Sequence, residues 1–125
     1  MIFIKENLNP MGKRACDCVI RAVVKASNQT WTKVYDDLCL LGRAEFLMPN
    51  EKKTYEAYLK QIGFIKRPMP RFPDNTRYTI AEFAKANPKG VFIISVAKHL
   101  TCIVDGVLYD TWNCSYKSVG NYFTK

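Results

Sequence analysis

Apolar positions recur three and four residues apart through the first half of the chain, then run together or alternate through the second. The spacing of Val19, Ile20, Val23, Val24 and Ala26 marks one face of a helix, with Asp17 ahead of it as the capping residue. Trp31, Val34, Tyr35, Leu38 and Leu41 form the face of a second helix, which Thr30 caps and Gly42 stops. Tyr55, Tyr58, Leu59 and Ile62 predict a third, between Asn50 as cap and Gly63 as stop. The stretch from Lys66 to Arg77 holds Pro68, Pro70 and Pro73, which exclude a regular helix or a central strand and predict a crossing loop. Thr79-Ile80-Ala81-Glu82 is a capping box that opens a short fourth helix ending at Asn87-Pro88.

The period then changes. Val91 to Val96 is a β-branched, apolar run that predicts a buried strand. His99–Val104 and Val107–Trp112 flank Asp105-Gly106, the dipeptide most diagnostic of a tight hairpin. A last strand is expected over Val119 to Phe123. Helices first and strands second imply an α+β fold, N-terminal helices packed on a C-terminal antiparallel sheet. With 125 residues, no internal repeat and no linker-like stretch, a single domain over 1–125 is expected.

The hairpin can be read geometrically. With Asp105 and Gly106 in the turn, Val104 faces Val107, Thr101 faces Asp110, and His99 faces Trp112. Alternation puts His99, Thr101 and Ile103 on one face with Leu108, Asp110 and Trp112. His99 and Asp110 are then diagonal neighbours, ~7–8 Å apart at the backbone, a gap their side chains can close. A carboxylate there would fix the ring tautomer and stabilise the imidazolium.

Composition narrows the chemistry. The chain holds five Cys and one His. One His cannot build a multi-histidine metal site. No apolar run approaches the ~18 residues that span a bilayer, so no membrane partner is expected. Met1 to Glu6 lacks a basic region followed by an apolar stretch, so no secretory signal is read there. An odd thiol count without a signal fits a reducing compartment and a cytoplasmic location. The net charge of +8 points to an anionic partner or surface.

Among the five thiols, Cys18 follows Asp17 at the first turn of the first helix. Free backbone N–H groups and the positive helix end favour a thiolate there, and the same N–H groups can bind an oxyanion. Cys39 in an apolar helix and Cys102, on the face opposite His99, read as small core residues. Cys16 lies ahead of the cap, and Cys114 falls in a turn with no assigned role.

Asp17-Cys18 opening a helix, the lone His99 starting a strand and the triplet Asp110-Thr111-Trp112 resemble the papain-like fold of cysteine peptidases. The triplet is similar to the papain-type Asn-Ser-Trp, with Asp for Asn and Thr for Ser. Asp-Cys at a helix start is also similar to bacteriocin-processing peptidases and NlpC-type cell-wall hydrolases, and the order His, strand, turn, Asp to transglutaminase-like domains. Asn9-Pro10, Asp17 to Ala22 and Asp110-Thr111-Trp112 resemble small proteins of bacteria and their phages. The resemblance implies a papain-like domain acting as a thiol-dependent acyl hydrolase or transferase, with no cofactor and no metal. Its substrate would be a peptide or protein, cleaved at a peptide or isopeptide bond in a bacterial cell or a phage-infected host.

In that reading Cys18 is the nucleophile, His99 the base and Asp110 its orienting group, while Trp112 shields the His99–Asp110 contact from water. The Cys18 backbone N–H supplies part of the oxyanion hole. Papain-type enzymes carry a Gln ahead of the Cys as the second donor. Gly12 stands in that place, so Asn9, Asn7 or another backbone N–H would serve.

Three other functions compete. Lys66, Arg67, Arg71 and Arg77 interleave with Phe72 and Tyr78, a pattern suited to phosphates and bases, which makes a basic nucleic-acid-binding module one alternative. That same basic loop could line a cleft for an acidic peptide. Cys16, Cys18, Cys102, Cys114 and His99 are enough ligands for structural zinc, but the C-x-C spacing and the face of Cys102 argue against it. A papain-like fold kept as a non-catalytic binding or inhibitor protein is the last alternative.

Overall fold

The computed structural model describes residues 1–125. In chain order the elements are β1 (Ile2–Lys5), α1 (Cys18–Ser27), α2 (Trp31–Glu45), α3 (Lys52–Gln61), β2 (Ile65–Arg67), α4 (Ile80–Ala86), β3 (Val91–Val96), β4 (His99–Val104), β5 (Val107–Asp110) and β6 (Tyr122–Thr124). The four helices pack on one six-stranded sheet of order β1-β5-β4-β3-β6-β2, an α+β fold.

The sheet is mixed rather than antiparallel. β1 runs parallel to β5, with Lys5 opposite Asp110, while every other neighbouring pair is antiparallel. Neither β1 nor β2 is legible as a strand in the sequence. Each is short and largely exposed, so neither carries an alternating pattern. β2 falls at the edge of the proline-rich stretch and pairs with β6.

The apolar helix faces find the core, except that Tyr35 of α2 stays exposed and stacks on Trp31, and several boundaries differ from expectation. α3 starts at Lys52 behind Glu51, not at Asn50, and its fourth residue Tyr55 makes the first helical bond, to the Glu51 carbonyl. Gly42 does not stop α2. The helix runs on to Glu45 and closes on Phe46 in the left-handed region at φ 56°, where the Phe46 and Leu47 N–H groups return to Arg43 and Gly42 carbonyls. Gly42 serves a close approach instead: a Cβ there would lie 2.6 Å from the Leu47 carbonyl oxygen. The Thr79–Glu82 capping box forms reciprocally, as its sequence implies. β5 ends at Asp110, two residues before Trp112, and the last strand is Tyr122–Thr124.

The Asp105-Gly106 hairpin forms with both turn residues at positive φ, 48° and 77°, the twist that matches antiparallel strands. Its register pairs Val104 with Val107, Ile103 with Leu108 and Cys102 with Tyr109. The sheet is covered on both faces. Val23, Leu38, Tyr58 and Leu59 from α1–α3 bury against Ile93, Leu100, Cys102 and Phe123. Ile80, Phe83 and Ala84 of α4 bury against Phe92, Ile94, Ile103 and Leu108 on the other side. No helix is long and apolar enough to cross a membrane.

Candidate active site

Because the hairpin register holds, the end of β5 lies beside the start of β4. His99 Nε2 and Asp110 Oδ2 are 2.6 Å apart, a charge-assisted hydrogen bond. The carboxylate is almost fully buried and held by more than the imidazole. Its Oδ1 accepts the Thr111 N–H at 2.6 Å and Arg21 Nη1 at 3.2 Å. Its Oδ2 also accepts the Cys114 S–H at 3.8 Å. Continuing the register by one pair puts Thr101 opposite Asp110. The buried Thr101 hydroxyl turns toward the carboxylate and favours its charged form, although it falls short of good hydrogen-bond geometry.

α1 packs across β4, and its first residue, Cys18, meets the first residues of that strand. The Cys18 thiol shares a cleft lining with His99 and Leu100, close enough for the His99 ring and the Leu100 N–H to favour its charged form. Since Nε2 is committed to Asp110, Nδ1 is the ring nitrogen left to exchange a proton with the thiol. By alternation His99 lies on the α4 side of the sheet and α1 on the other. The two meet only because both stand at the ends of their elements.

The electrostatics follow from these contacts. Burial alone would raise the Cys18 thiol, but the adjacent His99 ring, the Leu100 N–H and the charges of His99 and Arg21 outweigh it and bring it below its ordinary 9.0. Burial alone would lower His99. Its hydrogen bond to Asp110, with the neighbouring Cys114 and Cys18, overrides that and pushes it up to about 11. Burial opposes the Asp110 charge too, and the contacts with His99 and Thr101 bring the carboxyl down to about 2. These contacts favour an imidazolium with a carboxylate behind it, and make the Cys18 thiol more acidic than an ordinary one.

Asp17 takes the N-cap position of α1 but makes no side-chain cap. Its buried carboxylate turns away from the helix and accepts Arg21 Nε at 2.8 Å, Trp31 Nε1 at 3.0 Å and Asn9 Nδ2 at 3.2 Å. A buried charge gains more from three donors, one of them cationic, than from one helix N–H. Arg21 therefore links Asp17 to Asp110. Its role escaped the sequence reading, although the i, i+4 spacing from Asp17 is a visible pairing signal. Cys114 carries no comparable signal, because its approach to Asp110 depends on the fold of the turn after β5.

Asn9, expected as an oxyanion donor, is occupied differently. Its Nδ2 serves Asp17, and its Oδ1 accepts the Met11 and Lys13 N–H groups. At the helix start the first intrahelical bond is Arg21 N–H to the Asp17 carbonyl, which leaves the Cys18, Val19 and Ile20 N–H groups free of helical partners. Trp112 lies beside His99, its ring centroid 5.2 Å away and tilted by 50°. A cleft of about 360 Å³ opens at Cys18 and His99, with Tyr55, Ser95, Lys52 and Lys98 in its walls.

The remaining sequence candidates fall elsewhere. No residue of 66–77 lines that cleft. Within the loop, Lys66 pairs with Glu56 at 2.9 Å, Arg71 bonds the Asn75 carbonyl, and Arg77 bonds the Ser118 and Val119 carbonyls. Phe72 stacks on Tyr78 with centroids 3.9 Å apart, so the two rings offered for bases cover each other. All five cysteines are free thiols. Of the ligand-type side chains, His99, Asp110 and Cys114 bring their atoms within 4.8 Å of one another, and Cys16, Cys18 and Cys102 stand outside that group. Cys102 is buried on the α1 side, where burial pushes its thiol up to about 12. Compared with protein-family models, with curated proteins and with solved structures, the chain matches none.

Proposed function

We propose that this chain is a thiol-dependent acyl hydrolase or transferase of papain-like architecture, cleaving a peptide or isopeptide bond. The observation that carries the reading is the hydrogen-bonded His99–Asp110 pair with Cys18 beside His99 at the mouth of a cleft. Cys114 is also near His99 but is fully buried, so no carbonyl carbon can reach its sulfur.

The Cys18 thiolate attacks the carbonyl carbon, and the new C–S bond turns the carbonyl oxygen into an oxyanion. The unpaired N–H groups of the first turn of α1 stabilise that charge. His99 gives its Nδ1 proton to the leaving nitrogen as the C–N bond breaks, leaving a thioester. Water or an amine then attacks the thioester and gives its proton back to His99. The C–S bond breaks, releasing acid or new amide and restoring the thiolate. Asp110 holds the ring by Nε2 throughout, and Trp112 keeps water from that contact.

The tie between Asn9 and Asp17 favours a second reading, in which the same fold is a non-catalytic binding or inhibitor protein lacking a side-chain oxyanion donor. Alkylation separates thiolate chemistry from an inert thiol. In a Cys16→Ser background, iodoacetamide should modify Cys18 at pH 6 far faster than it modifies a model thiol of pKa ~8.5. Asp110→Asn should reduce that advantage. A Cys18 rate that climbs only near pH 9, like the model thiol, would remove the basis for the catalytic reading.

A further inference from the structure

We infer that the cleft at Cys18 selects an acyl group carrying a carboxylate close to the reacting carbonyl, as an aspartyl or glutamyl side chain would supply. This rests on the acyl-transfer reading of Cys18 and goes beyond it to the class of substrate. The walls of the cleft hold Lys52, Lys98 and His99 and no Asp or Glu. Neither lysine enters an ion pair.

Both lysines stand where local physics disfavours a lysine. Lys52 is the first residue of α3, at the positive end of the helix, where an acidic side chain is favoured and a cation costs stability. Glu51 precedes it but makes no cap bond and does not line the cleft. Lys98 sits in the two-residue turn between β3 and β4 with φ 56°, a conformation that Gly or Asn adopts more readily. Two locally unfavourable cations thus converge on one opening, beside the residue that acts as acid. Cys18 and Lys52 each begin a ten-residue helix, so two helix N-termini also face the same space.

This concentration of positive charge attracts an anion and orients it. The thiolate and the incoming oxyanion are served by α1 and His99, which leaves Lys52 and Lys98 without an anion of their own. A carboxylate on the substrate fills that role. In the basic loop from Lys66 to Arg77, which the sequence offers for the same purpose, Lys66, Arg71 and Arg77 are tied up in contacts within the chain, and no residue of the loop lines the cleft.

The test compares two alkylating agents of nearly equal size, neutral iodoacetamide and anionic iodoacetate, on Cys18 in the Cys16→Ser protein. The quantity read is the iodoacetate-to-iodoacetamide rate ratio, normalised to a neutral model thiol, which cancels any change in thiolate fraction. Lys52→Gln with Lys98→Gln should lower the ratio by about tenfold, and raised salt should lower it in the parent. Lys85→Gln, on α4 away from the cleft, should leave it unchanged. Fast alkylation by iodoacetamide with a ratio indifferent to both lysines would overturn the carboxylate preference and leave acyl transfer standing. Slow alkylation of Cys18 by both reagents would overturn acyl transfer and this preference together.

Discussion

Arg21, one turn beyond Cys18, touches two buried carboxylates, Asp17 at 2.8 Å and Asp110 at 3.2 Å. Replacing it with Met would leave Asp17 buried without a cation and Asp110 with His99 alone, a change that costs about 3–5 kcal/mol by comparison with other buried pairs. Urea denaturation should register that loss, and Arg21→Lys should fall between, because an ammonium cannot reach both carboxylates with the guanidinium's fixed fork. Position shows in a second readout: without Arg21, Asp110 loses a cation, and the pH profile of Cys18 alkylation should move. The His99–Asp110 pair also sets a pH dependence of stability. Asp110 lies below its ordinary 3.8, so its contribution is complete above that pH and is lost as pH falls through about 2. His99 lies above its ordinary 6.5, so its contribution is complete below that pH and is lost as pH rises toward about 11. Melting temperature should therefore decline across the alkaline window, and Asp110→Asn should flatten that decline.

At the scale of elements, α2 shows where propensity and packing disagree. Gly42 lies inside the helix, where Ala is favoured over Gly by about 1 kcal/mol. The Leu47 carbonyl, 2.6 Å from the position of a Cβ, reverses that sign, and Gly42→Ala should destabilise by about 1–3 kcal/mol. Phe46→Gly should do the opposite. The side chain is 97% exposed and its backbone is left-handed, so Gly relieves about 1 kcal/mol of strain at little cost in burial. Thermal denaturation of the two variants checks both signs. These two residues also mark what was legible. The apolar faces of α1–α4 and the Asp105-Gly106 hairpin follow from local spacing and turn chemistry, and all of them form. The end of α2 was not legible, because Gly42 reads as a stop when only its own preference is weighed. β1 and β2 were not legible either, since their pairing with β5 and β6 is set by distant chain and leaves no local period.

At the scale of the molecule, the proposed site draws Cys18 from the start of α1, His99 from the start of β4 and Asp110 from the end of β5. The His99–Asp110 contact could be read from hairpin register alone. Cys18 could be nominated from its helix start, but its meeting with His99 depends on how α1 lies over the sheet. Arg21, Cys114 and the two cleft lysines emerge only when the whole fold is assembled. β3 and β4, buried on both faces and flanked by strands, should exchange backbone amides most slowly, and the edge strands β1 and β2 fastest, in hydrogen–deuterium exchange. The chain has one His, so its imidazole nitrogens report on the site without overlap. A pH titration of the ¹⁵N resonances of His99, in the parent and in Cys18→Ala and Asp110→Asn, tests the central claim most directly. The proposed thiolate–imidazolium pair predicts a ring protonated on both nitrogens through neutral pH, with its proton loss moved to lower pH in each variant. A ring that titrates near 6.5 and ignores both substitutions would contradict it.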